Sequence, residues 1–250
     1  MLPDNTYAEN HAIQSFMVDG KLLLTPTFLF NLMQEVAVNH VDLVGIGWDF
    51  LNQFQHFWAL SRMDVEIFRR PQWHEKIKIT TWGKKHNYLV QPRDHQIETP
   101  DGEIIAKATS NWVILDFEGK PQMLDQYEPL LKNNHKRHAI EKPASRLRQA
   151  VTAENLVFKP VVYSNIDMNR HANNAAYVTW IMDSFNHEFH RTHELTSLSI
   201  NYLQQTHADD FYAIAQKEMA ANDFLCSIYS QKENIEVCRI RTTWKRVLSK

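Results

Sequence analysis

The sequence predicts an α+β fold built twice over, in which each half sets one long helix against several antiparallel strands. Three observations carry this. Apolar side chains recur at three- and four-residue spacing in two stretches, one after Thr25 and one after Asn174, near the start of each half. Each stretch is followed by four runs of strand length separated by turn residues. No shorter period divides the chain, so the pattern is a duplicated domain and not a solenoid.

In the first half, residues His11 to Leu24 read as strand interrupted by a bend at Asp19-Gly20. Thr25 then caps a helix and Pro26 takes its first position, where a missing N–H is harmless. Phe28, Leu29, Leu32, Met33, Val36 and Ala37 give that helix a broad apolar face, and Gly45 and Gly47 end it. Phe57 to Ile67, Lys76 to Trp82, Tyr88 to Ile97 and Glu103 to Phe117 are the strands. In the first of these Met63, Val65 and Ile67 alternate with Arg62, Asp64 and Glu66. Turns fall at Lys84-Lys85, Pro100-Asp101-Gly102 and Glu118-Gly119. Trp58, Trp82 and Trp112 are expected to pack against the helix.

A polar, basic run, NNHKRHAIEKPASRLRQ, breaks the rhythm and reads as a linker. The expected organisation is a first domain over 1–131, a linker over 132–150 and a second domain over 151–250. Within the run Lys132, Lys136, Arg137, Arg146 and Arg148 form either a solvated surface or a dock for an acidic partner. The second half follows with Leu156 to Tyr163 as strand, a polar loop, a helix reaching about Arg191, and strands Ser197 to Leu203, Phe211 to Met219, Phe224 to Ser230 and Ile235 to Trp244. Lys232-Glu233-Asn234 makes a turn.

Composition narrows the function. The chain has 250 residues and a net charge of −2, with none of the basic excess of a nucleic-acid binder. Its two cysteines, Cys226 and Cys238, lie in apolar runs, which points to buried packing residues in a reducing compartment and not to a disulfide framework. No run of 18 apolar residues occurs and the N-terminus lacks a basic start, so a cytoplasmic protein off the membrane is expected.

The densest chemistry lies between Tyr163 and Glu188. Asn165, Asp167, Asn169, His171, Asn173 and Asn174 crowd into ten residues. Such side chains favour caps and turns, so this is a loop feeding a helix whose buried face carries Tyr177, Trp180, Ile181 and Phe185. Asn173 or Asn174 is its cap. A helix start presents N–H groups and partial positive charge that can polarise a carbonyl, and His171 is suited to proton transfer near neutrality. His187, His190 and His193 near the helix end are favoured there by the dipole; no metal or other cofactor is expected.

The run Asn-x-Asp-x-Asn-x-His-x-Asn-Asn-x-x-Tyr, filled by Asn165 to Tyr177 and continued by Trp180-Ile181, resembles the acyl-acyl-carrier-protein (acyl-ACP) thioesterases of bacteria and plant plastids. The stretch from Gly20 to Gly47 is also similar to that family's N-terminal region. The resemblance implies a tandem double hot-dog fold, each half a long central helix wrapped by a curved antiparallel β-sheet. It implies hydrolysis of fatty acyl-ACP, with Asp167, Asn169 and His171 catalytic, Asn173 and Asn174 at the oxyanion end, and the acyl chain in the first domain beside Met33 and Val36. One departure stands out. Where the family carries a glutamate in a run like Glu-Tyr-Arg-Arg-Glu-Cys, this chain has Gln205 within Asn201-Tyr202-Leu203-Gln204-Gln205-Thr206. A glutamine can hold a water but cannot take its proton. Either His171 or Asp167 is then the base, with Asp209 or Asp210 as possible substitutes. The alternatives are an acyl-CoA thioesterase and a non-catalytic acyl-thioester binding or sensing protein; monomer and homodimer are both compatible with two fused domains.

Overall fold

The computed structural model describes residues 5–127 and 137–247. They form two compact units that divide between Ala144 and Ser145. Lys132 and Lys136 of the basic run, and residues 128–131 at the expected end of the first domain, lie outside the described residues.

The first unit comprises β1 (Tyr7–Ala12), α1 (Pro26–Val44), a short α2 (Trp48–Asn52), β2 (His56–Ile67), β3 (Lys76–Gly83), β4 (Gln91–Glu98) and β5 (Ile104–Asp116). The strands are antiparallel in the order β1-β3-β4-β5-β2. The helix begins where its sequence says: Thr25 Oγ1 accepts the Phe28 N–H at 3.3 Å, and Pro26 is the first helical residue. It ends at Gly45, whose φ of 91° is a left-handed cap that a side chain would strain. Leu29, Phe30, Leu32, Met33, Val36, Ala37 and His40 are buried on it. A fully buried side chain of the size of Met33 contributes about 1.5–3 kcal/mol of transfer free energy, so this face anchors the unit.

The second unit comprises β6 (Lys159–Pro160), α3 (Asn174–Met182), α4 (His187–Thr192), β7 (His193–Tyr202), β8 (Phe211–Ala220), β9 (Asp223–Ser230) and β10 (Ile235–Arg246). Its strand order, β6-β8-β9-β10-β7, repeats that of the first unit element for element.

Four expectations change. Of His11 to Leu24, only the beginning is strand; a 3-10 turn at Ser15–Met17 intervenes, and Val18 pairs with Leu24 as an isolated bridge. Of Leu156 to Tyr163, only Lys159–Pro160 pairs, since Pro160 has no N–H to extend a ladder. The helix expected to reach Arg191 is two helices. Ser184 Oγ donates to the Ile181 carbonyl at 2.7 Å, Asn186 restarts the helix by accepting the Phe189 N–H at 2.8 Å, and Phe185 turns in against Phe224 and Trp244. The described part of the basic run, finally, is pinned down. Arg137 lays its guanidinium 4.0 Å from the Trp82 ring centre and accepts the Trp82 indole N–H on its carbonyl. Ala139 N–H donates to Asp94 Oδ2, all within the first unit. In the second unit Leu147 N–H donates to Asn201 Oδ1 and Val151 N–H to Ser227 Oγ.

Truncating Met33 to Ala removes a fully buried side chain from the centre of α1. The expected loss is about 2–5 kcal/mol, read as a lowered midpoint in guanidinium denaturation of the full chain.

Candidate active site

The motif loop is a tight backbone hairpin feeding α3. Asp167 N–H donates to the His171 carbonyl at 2.9 Å, Arg170 N–H to the Asp167 carbonyl at 3.0 Å, and Arg170 closes the turn at φ 64°. The Asp167 side chain holds the same turn, its Oδ1 accepting the Asn169 N–H at 2.8 Å. On the exit side, Asn173 N–H donates to the Asn165 carbonyl at 2.8 Å and Asn173 Oδ1 accepts the Ala175 N–H, which makes Asn173 the N-cap. Asp167, Asn169 and His171 are thereby brought together in front of a helix start.

A second loop, residues 203–210, closes the site from the other side. Ala172 N–H donates to the Thr206 carbonyl at 2.7 Å, and His171 and His207 pair as an isolated antiparallel bridge. Tyr177, buried on α3, donates its hydroxyl to Thr206 Oγ1 at 2.8 Å; burial pushes this phenol above its ordinary pKa, so it stays a donor. Tyr202 donates to the Asn174 carbonyl at 2.8 Å. Together these bonds fix Gln205, immediately before Thr206, beside the motif turn.

The site's electrostatics favour an uncharged imidazole. His171 is held below the usual histidine range, first by burial and then by His207, with Asp167 opposing. Its ring meets that of His207 at 4.7 Å between centroids, edge to face. Asn169 Oδ1 is buried without a hydrogen-bond partner among the described residues. A half-turn of that amide would present Nδ2 in the same place, so the position can serve an acceptor or a donor.

Several expected roles shift. The N–H groups of Ala175 and Ala176 are both directed to Asn173, so they are not open to an incoming carbonyl, and Asn174 offers its own carbonyl to Tyr202. Asp210 is buried and structural: Oδ1 accepts the N–H groups of Phe211 and Lys232, and Oδ2 accepts the Ser230 hydroxyl. Among the late histidines, His190 bonds the Met182 carbonyl and His193 stacks on Phe189. No group of three or more metal-ligating side chains gathers among the described residues.

Met33 and Val36 are fully buried, and the apolar cavity of the first unit opens one to two turns further along α1. Ala37, Val41 and Val44 line it with Trp58 and Trp112, and Gln91 and Arg93 enter from β4. Arg93 Nη1 lies 3.0 Å from His40 Nδ1 and 3.1 Å from Thr81 Oγ1. Burial, followed by the Arg93 charge, lowers His40 to about 3, which leaves it the acceptor of that bond. Sequence reading missed His40, Arg93 and His207. The alternation that turns Gln91 and Arg93 to one face of β4 was a signal for the second; His207 had none, because its partner is set by loop register.

The first unit contains a counterpart of the motif turn. Asp19 N–H donates to the Leu23 carbonyl, Asp19 Oδ1 accepts the Lys21 N–H, Leu22 has φ 60°, and Leu24 N–H donates to the Pro71 carbonyl. Aligned on these bonds, Asp19 corresponds to Asp167, Leu23 to His171 and Arg70 to Gln205. Arg70 Nη1 donates to Asp19 Oδ2 at 2.6 Å, which closes the first turn with an ion pair. Gln205 carries no charge to do the same.

Comparison with known proteins gives consistent matches. The family model for the acyl-ACP thioesterase N-terminal domain matches residues 4–125, and that for the C-terminal domain matches residues 149–246. An oleoyl-acyl carrier protein thioesterase from Arabidopsis thaliana is 29% identical over 82% of this chain. This chain spans 61% of that relative's length. The crystal structure of an acyl-ACP thioesterase from Bacteroides thetaiotaomicron superposes with a TM-score of 0.85 at 25% identity, covering 97% of this chain and 98% of that one. A 12:0-ACP thioesterase from Umbellularia californica, 20% identical, shares the fold with a TM-score of 0.86 over 99% of this chain and all of its own.

The Tyr177–Thr206 bond is the joint between α3 and the second loop. Replacing Thr206 by Val leaves a buried phenol O–H unpaired and is expected to cost about 1–3 kcal/mol. Adding Tyr177→Phe should recover part of that loss in a denaturation double-mutant cycle.

Proposed function

The chain belongs to the acyl-ACP thioesterase family, with the hot-dog fold in both its halves, and from that premise we propose that it hydrolyses the thioester of a fatty acyl-acyl carrier protein to free fatty acid. The observation that carries the reading is the hairpin of Asp167, Asn169 and His171, cross-bonded to the loop of Gln205 and Thr206. In this proposal neutral His171 accepts a proton from water as the water oxygen attacks the thioester carbonyl. Collapse of the tetrahedral oxyanion expels the thiolate, which takes the proton back from His171. Asp167 keeps the turn in shape through its bond to the Asn169 N–H, the Asn169 amide supplies a donor to the oxyanion, and the positive end of α3 adds to it. Gln205 orients the water with its amide.

The acyl chain is assigned to the first domain, whose apolar cavity along α1 and the two tryptophans suits a hydrocarbon. The second domain is assigned the chemistry. Acyl-ACP is the proposed substrate over acyl-CoA because the relatives are named for the carrier protein. Among the described residues no helix is long and apolar enough to cross a membrane. Cys226 and Cys238 are free and buried, which supports a reducing compartment, and we assign the reaction to the cytoplasm. A second reading, stoichiometric binding without turnover, is favoured only by the glutamine at position 205.

Fatty-acid release from a panel of acyl-ACPs tests the proposal, with the same acyl chains on CoA alongside. Asp167→Ala and His171→Ala should each lower kcat by about 10²–10⁴; near-normal rates in both would refute the site. Turnover absent in wild type but gained in Gln205→Glu would establish the binding protein. Because the working form of His171 is neutral and folding lowers its affinity for protons, the acid limb of kcat/KM should fall below pH 6.5, the ordinary histidine value.

A further inference from the structure

The loop opposite the motif turn brings a second imidazole to the site. His207 and His171 are joined by an antiparallel bridge, and their rings meet edge to face at 4.7 Å. The two differ in hydration, since His171 is half-buried and His207 exposed. Other candidates on that loop are accounted for. Asp210 is buried with both oxygens bonded, and Gln205 does not titrate. The charged or titratable groups acting on His171 are therefore Asp167 in its own turn and His207 across from it, with Arg170 and Asp209 as exposed neighbours in sequence.

We propose that His207 is a positioning residue for the acid–base chemistry of this site, its imidazole set edge to face against that of His171 across the bridge between the two loops so that it orients the His171 ring and opposes a charge there. Two imidazolium charges this close would repel, so the neighbouring ring opposes a proton on His171. Burial disfavours the charged form of the half-buried His171 ring, which keeps its lone pair for water. With glutamine and not a carboxylate at position 205, that loop offers no anion there to draw the proton onto His171. The direction agrees with the depressed affinity of His171, in which burial comes first, His207 second, and Asp167 opposes. This inference rests on the reading of His171 as the base.

The test compares His207→Gln, which removes the charge, with His207→Lys, which fixes it. Two readouts are followed in the full chain: the acid limb of kcat/KM on acyl-ACP, and the NMR titration of the His171 ring. In His207→Gln both midpoints should rise by about half a pH unit or more; in His207→Lys they should stay at the wild-type value or fall. A purely structural role would move both variants alike. An unmoved His171 titration in His207→Gln overturns this inference alone. Undiminished turnover in His171→Ala overturns the reading of the base on which it stands.

Discussion

A backbone hairpin stitched to the facing loop by one N–H···O bond is the constraint on which both halves depend. In each half, the aspartate at its start folds the turn with its own carboxylate, and the residue before the helix cap donates across to the opposite loop. These bonds set where the helix begins, and hence which of its faces meets the strands. Because the turn is closed by backbone groups and one short side chain, it tolerates different residues at its tip. The first half fills it with Lys21 and Leu23, the second with Asn169 and His171.

That tolerance lets a duplicated scaffold carry different side chains in its two copies. In the first half the free oxygen of Asp19 is taken by Arg70, an ion pair with Arg70 largely buried that serves the fold. In the second half glutamine stands at the corresponding place, no ion pair to Asp167 forms among the described residues, and the half-buried imidazole next to it is held below the usual histidine range. The same backbone thus supports a closed structural turn and an open, polar one. The difference lies in two or three side chains.

Much of this was legible in the chain because it is written locally. Thr25, Pro26 and Gly45 mark the ends of α1 within a residue, and the Asn- and Asp-rich run could only be a turn before a cap. Of the second half's strands, β8, β9 and β10 fall where alternation and turn residues put them, whereas β7 begins earlier, at His193, and β6 shrinks to Lys159–Pro160. The break between α3 and α4 was hidden, since Ser184 and Asn186 read equally well as the polar face of a continuing helix; what decides it is Phe185 packing on Phe224 and Trp244, residues far along the chain. His207 and the Asp19–Arg70 pair were hidden for the same reason. Their partners are chosen by loop register across long separations, and no spacing in the sequence encodes that.

The correspondence of Arg70 with Gln205 bears on how such a site can change over generations. Glutamine codons lie a single base from arginine codons on one side and from glutamate codons on the other. One substitution at position 205 would therefore install the ion-pairing residue that closes the first half's turn, and a different one would install a carboxylate in the loop facing the motif turn. The present residue sits at a mutational crossroads between an ion-paired turn and a more acidic one, each a single base change away.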